Sequence, residues 1–183
     1  MKIYELISII GGTVVLAWIG YGFLFESTID SPIYKKISHP SGIDIRQYKS
    51  INVVQHNMSN QSASFRHLFK YISGNNKQKQ KIPMTAPVIE SNGRMMFVLP
   101  NEMSDAPQPS DPTLQIKEFK QLTVAVLSFR GNAGKSQKKK AQLKRTLKKN
   151  NIRMSDQWFI CQFNSPWVFP YFRKNEIWIK IDI

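Results

Sequence analysis

The chain has 183 residues, 26 Lys+Arg against 12 Asp+Glu, and a formal net charge of +14. That length holds about one domain, 42% apolar residues allow a packed core, and the single cysteine (Cys161) excludes a disulfide framework or a Cys-rich metal site. The charge points to anionic surfaces or ligands without choosing among nucleic acid, acidic lipid and carboxylates.

The first element is a run of 20 residues without a charge, Leu6 to Phe25 (LISIIGGTVVLAWIGYGFLF). As a helix at about 1.5 Å per residue it reaches roughly 30 Å, the depth of a bilayer core. Tyr4, Trp18 and Tyr21 stand toward its ends as interfacial anchors would. A cleaved signal peptide is the rival, but the exit FLFESTIDSP lacks an A-x-A-like site. The expectation is therefore a transmembrane anchor over residues 1–26, a polar linker over 27–41, and one domain over 42–183.

The domain reads twice. In GIDIRQYKSINVVQHNM the apolar residues Ile43, Ile45, Ile51 and Val53 suggest two strands that turn near Tyr48–Ser50, with those residues on one face. TLQIKEFKQLTVAVLSFR repeats the pattern 71 residues on: Ile43, Ile45, Tyr48, Ile51 and Val53 correspond to Leu114, Ile116, Phe119, Leu122 and Val124. A helix follows each. Ser62–Ser73 places Phe65, Leu68, Phe69 and Ile72 at i, i+3, i+4, i+7, with Gly74 as a stop signal, and the second helix runs over 135–150. Two strand-like runs follow each helix: Ala86–Glu90 with Met95–Leu99, and Trp158–Phe163 with Glu176–Ile181. The expected fold class is α+β. Duplicated β-β-α-β-β units form a pseudo-twofold antiparallel sheet or distorted barrel with two helices, preceded by the N-terminal transmembrane helix.

Lys81–Ile89 reads KIPMTAPVI. Its two prolines hold the backbone extended and withhold N–H donors, as in an entry strand beside an apolar cavity. With IDIRQY at Ile43–Tyr48, FKYISGNN at Phe69–Asn76 and RKNEIW at Arg173–Trp178, this string resembles the SOUL haem-binding protein family. The resemblance covers about residues 33 to 183. It implies the duplicated fold, shared with effector-binding domains of bacterial regulators, and reversible binding of haem or another tetrapyrrole. Some members carry a proposed axial histidine just before the tyrosine of the opening strand; here that position is Gln47, a poor iron ligand. Other members use an apolar groove beside the first helix. The matching positions are Phe65 and Phe69, whose rings can lie on a porphyrin face, and Lys70, which can pair with a propionate.

The remaining candidates read mainly as structure. His67 lies two residues, about 200°, from Phe65 on the helix, so it is expected in solvent and is a weak metal candidate. His39 is expected exposed, His56 structural, and Cys161 a buried inert thiol. Met84, Met95 and Met96 read as core, Tyr48, Trp158, Trp167 and Trp178 as packing, and Arg173 with Glu176 as an ion pair. GNAGKS at Gly131–Ser136 lacks Walker spacing and reads as a strand-to-helix turn.

Residues 135–149 hold eight basic residues and no acidic one. Leu143 and Leu147 can pack while the rest faces water or anionic lipid headgroups. Nucleic acid is an unlikely partner, because no aromatic residues interleave with the lysines. No Ser-His-Asp, Cys-His or paired-carboxylate arrangement appears, so no enzyme is expected. The expected function is tetrapyrrole binding, buffering or delivery by a domain tethered to a membrane, on its extracytoplasmic side. The alternative is a ligand-independent interaction module at the membrane surface that uses the basic helix 135–149.

Overall fold

A computed structural model describes residues 29–37, 43–103, 105–165 and 168–182. The elements in chain order are β1 (Lys35–Ile37), β2 (Asp44–Asn57), α1 (Gln61–Ile72), β3 (Val88–Ser91), β4 (Arg94–Val98), β5 (Leu114–Arg130), α2 (Ser136–Lys149), β6 (Met154–Gln162) and β7 (Lys174–Ile181). The predicted anchor over 1–26, both ends of the 27–41 linker with His39, and Trp167 lie outside the described residues. Among the described residues no helix is long and apolar enough to cross a membrane.

Six strands close a barrel in the order β2-β4-β3-β6-β7-β5, and β5 pairs back onto β2; every neighbouring pair is antiparallel. Closure leaves no continuous open edge, and the short β1 pairs the first half of β2 beside β4 on the second half. The long β2–β5 ladder carries the repeat. Tyr48 pairs with Leu122 and Ile51 with Phe119, while Ile45 pairs with Ala125 and Val54 with Ile116. Each pair is the other's image after a shift of 71 residues, so a pseudo-twofold axis runs through the centre of this ladder.

The expected hairpin near Tyr48–Ser50 does not form. Residues 44–57 are one 14-residue strand and 114–130 one 17-residue strand, so each unit is β-α-β-β. Nor do the four apolar residues share a face. Ile43 and Ile45 pack outside, with Leu143 and Leu147 of α2, whereas Ile51 and Val53 join Tyr48 inside. The side-chain alternation switches parity between Tyr48 and Ile51. The ladder skips Lys49 opposite Gln121, and Gln121 has φ 48°. Without Gly or Pro at 48–50 the chain has no residue suited to reverse direction, and it bends as a strand to close the barrel.

The core falls into three layers. Tyr48, Ile51, Val53, Met96, Val124, Phe159, Cys161 and Trp178 fill the barrel. Leu68, Tyr71 and Ile72 of α1 cover Val54, Met95, Phe97 and Leu114, and α2 covers Ile45, Ala125, Ile177 and Ile179. The hydroxyl of buried Tyr71 donates to Pro107 O at 2.7 Å, and burial pushes its pKa up to about 12. Asn60 caps α1 by accepting from the Ala63 N–H at 3.1 Å. Asn132 accepts from the Gly134 N–H in the turn before α2, so GNAGKS is the strand-to-helix turn expected.

Part of the 27–41 connection is built into the barrel. The Ala86 N–H donates to Asp30 O at 2.8 Å. Asn101 donates to Ser31 O and accepts from the Ile33 N–H, and β1 follows. The connection therefore forms one wall at the barrel mouth.

Candidate functional site

Arg46 on β2 and Glu176 on β7 meet inside the barrel near this mouth. Arg46 Nη1 donates to Glu176 Oε2 at 2.9 Å and Nη2 to Oε1 at 3.2 Å. Its Nε and Nη2 also donate to Asp44, at 3.1 and 2.7 Å. Glu176 is fully buried and accepts further bonds from Ser128 Oγ and Trp178 Nε1. Burial alone would lower the Arg46 pKa, but Asp44 and Glu176 outweigh it and raise it, so the guanidinium stays charged. A carboxylate this deep is tolerated only because all these donors converge on it.

Above this pair lies a cavity of about 410 Å³. Tyr48 stacks on Trp178 at 5.0 Å and 27°, and Tyr34 from the N-terminal wall sits 5.5 Å from Tyr48 and 4.6 Å from the Arg46 guanidinium carbon. Arg130 and Lys174 complete the rim, with Ala86 and Pro87 of KIPMTAPVI on another side. The string does border a cavity, at Ala86 and Pro87, but the cavity is not the apolar one expected: Arg46, Arg130 and Lys174 line it as well.

The helix positions form a different surface. The rings of Phe65 and Phe69 stack at 6.0 Å and 12°, and Phe65 also packs edge-on against Phe97 at 5.1 Å. Phe69 is 50% exposed, and Lys70 beside it is exposed. Phe65 and Phe69 thus share one face of α1, and Lys70 follows Phe69 about 100° around the helix axis. The structure does not bring Gln47 there. Gln47 is exposed on β2, paired with Lys35 and Thr123, nine residues or about 30 Å of strand from His56 beneath α1.

His67 is not a free solvent residue. Its Nδ1 lies 2.6 Å from Asp111 Oδ2, and its ring stacks on His56 at 4.7 Å and 9°. His56 Nδ1 in turn lies 3.0 Å from Ser64 Oγ, and burial followed by the nearby His67 lowers the His56 pKa. Among the described residues no group of three or more His, Cys, Asp or Glu could hold a metal ion. Cys161 is fully buried, and burial pushes its thiol well above the ordinary value, so it is inert. Met84 is 37% exposed and not core, unlike Met95 and Met96. Glu176 pairs with Arg46, not with Arg173, whose Nε donates to Val168 O. On α2, Lys140 lies 3.9 Å from the centre of the Trp158 ring and Lys144 3.8 Å from Asp156, so part of the basic face rests on β6.

Sequence reasoning missed Arg46, Tyr34, Arg130 and Lys174 as a group. The available signal was parity. Arg46 shares a strand face with Tyr48, and Glu176 shares one with Trp178, so opposite charges alternate with interior aromatics in two strands.

Two β-α-β-β halves closing one barrel place the chain in a known fold class. The crystal structure of the EcmrR C-terminal domain aligns with a TM-score of 0.57 over 82% of this chain and 98% of that one, at 9% identity. An uncharacterized conserved protein from Listeria innocua aligns at 0.55 over 75% and 92%, at 8% identity. Likeness at such identities concerns fold alone. The family follows from sequence: the model for SOUL heme-binding protein matches residues 29–180, and the chain belongs to that family. Its curated relatives include heme-binding protein 1 of Sus scrofa, 32% identical over 61% of this chain and 66% of that protein. Heme-binding protein 2 of Homo sapiens is 30% identical over 76% and 78%. The chain thus spans just under two thirds of the length of heme-binding protein 1.

Proposed function

We propose that the chain binds haem or another tetrapyrrole, non-covalently, on the Phe65–Phe69 face of α1, for binding, buffering or delivery and not for catalysis. Family membership supports the ligand class. The observation that carries the site is Phe69, a large aromatic ring held half out of water and stacked on Phe65. A planar apolar ligand would cover that ring, and the exposed Lys70, the next residue in the helix, suits a ligand carboxylate at the ligand's edge. These residues fit a porphyrin by its plane and its propionates, not by its iron. His67 is committed to Asp111 and stacked on His56, and Gln47 belongs to another part of the barrel. Bound haem would supply the iron and the Soret absorption that reports it; the chain supplies an apolar platform and a cation.

The tether to a membrane, with the domain on the extracytoplasmic side, is a further part of this proposal. Its support is the uncharged run Leu6–Phe25. Titration of the full-length chain with hemin, followed at the Soret band, tests the binding claim. A saturable shift at micromolar protein is expected, and a shift that never saturates overturns it.

A further inference from the structure

The mouth cavity lies apart from the helix surface, and its chemistry is different. Three rings stack beneath it, Tyr34, Tyr48 and Trp178, with successive centroids 5.5 and 5.0 Å apart; Tyr48 and Trp178 are buried, and Tyr34 presents the accessible ring. A volume of about 410 Å³ lies within the roughly 300–1,000 Å³ typical of small-molecule pockets. The charged residues lining it are Arg46, Arg130 and Lys174, with no carboxylate among them. Asp44 and Glu176, which bond Arg46 from behind, balance two of the three cations. One positive charge is left over.

The two exposed rim cations face each other, and Lys174 also lies 4.3 Å from the centre of the Phe163 ring. Arg130 and Lys174 are directly opposite each other on β5 and β7. Like charges in that register destabilise a sheet unless an anion lies between them. Glu176 relieves Lys174 only in part, at 3.4 Å, because its oxygens are already taken by Arg46, Ser128 and Trp178. Arg130 spends one donor on Phe172 O at 2.8 Å and is otherwise exposed.

We propose that the barrel mouth is a second ligand site, which takes a planar aromatic monocarboxylate. Its ring lies against Tyr34, the exposed end of the column at 44%, and its carboxylate lies between Arg130 and Lys174. One negative charge matches the surplus, and the exposed Tyr34 ring favours a flat ring over an aliphatic acid. The site makes no use of Phe69 or of haem, so it stands or falls apart from the helix proposal.

Calorimetric titration of the full-length chain with 2-naphthoate provides the test, with 2-naphthylmethylammonium as the same ring of opposite charge. Naphthoate should bind saturably with one site per chain, and the ammonium compound should not. Lys174→Gln and Arg130→Gln should each weaken naphthoate at least about tenfold, since each removes one charge-assisted hydrogen bond. Lys174→Arg should retain it. Lys149→Gln, which removes an equal charge from the end of α2, should leave it unchanged. Both rim side chains are exposed, so the variants should melt with the parent chain. Absence of saturable heat, equal binding of the ammonium compound, or equal weakening by Lys149→Gln overturns the proposal.

Discussion

Glu176 is the side chain with the most at stake. It is fully buried and makes a two-pronged contact with Arg46. Removing one partner strands the other charge in the barrel, at a cost of about 3–5 kcal/mol, whereas exchanging both for apolar residues of similar volume is often neutral. Glu176→Leu and Arg46→Met should therefore each lower stability strongly. The double variant should be far less destabilised than the sum of the two, as measured by urea unfolding and read as a double-mutant cycle. Simple additivity would mean that the pair does not act as a unit. The sequence contained both residues in plain view, but their partnership spans 130 positions. Only the closure of β2 through β5 to β7 brings them together, and local patterning carries no trace of that.

At the scale of elements, the helices were the most legible. The i, i+3, i+4, i+7 spacing of Phe65, Leu68, Phe69 and Ile72 located α1 to within a residue, yet only Leu68 and Ile72 became core. Phe65 and Phe69 ride on the edge of the apolar stripe, where periodicity does not separate packing from exposure. In the sequence, 44–57 and 114–130 resemble hairpins because a change of parity looks the same whether the chain turns or continues past an irregularity. Also unseen was the contact that ties α1 to the chain entering β5. Asp111, held by Thr113 and His67 against the cost of its burial, has its pKa lowered from 3.8 to about 2. A carboxyl whose folded pKa is depressed contributes stability above its unfolded pKa and loses it as pH falls through the folded value. Stability should thus decline between about pH 4 and pH 2, and Asp111→Asn should flatten that part of the curve in acid unfolding followed by circular dichroism. An unchanged acid limb in the variant would show that Asp111 does not couple to folding.

For the whole molecule, the duplication was visible in five apolar matches, and the reciprocal β2–β5 register gives it a geometric meaning. The two halves share one long ladder, so neither can close a barrel alone. The shared interior is occupied by the Arg46–Glu176 pair and the aromatic column, while the two helices cover opposite outer faces. This arrangement leaves the proposed haem surface on α1 outside the barrel, where binding need not open the core. A ligand held there by ring contact and one cation, with no iron–protein bond, should respond to loss of the ring and not to loss of the histidine. The direct measurement is a hemin titration of the full-length chain and of its Phe69→Asp and His67→Gln variants, followed at the Soret band. The account predicts saturable binding that Phe69→Asp weakens by at least about tenfold, the loss of one buried aromatic contact and more, with the His67→Gln spectrum and affinity unchanged. Equal binding by Phe69→Asp, or a Soret band that depends on His67, would contradict it.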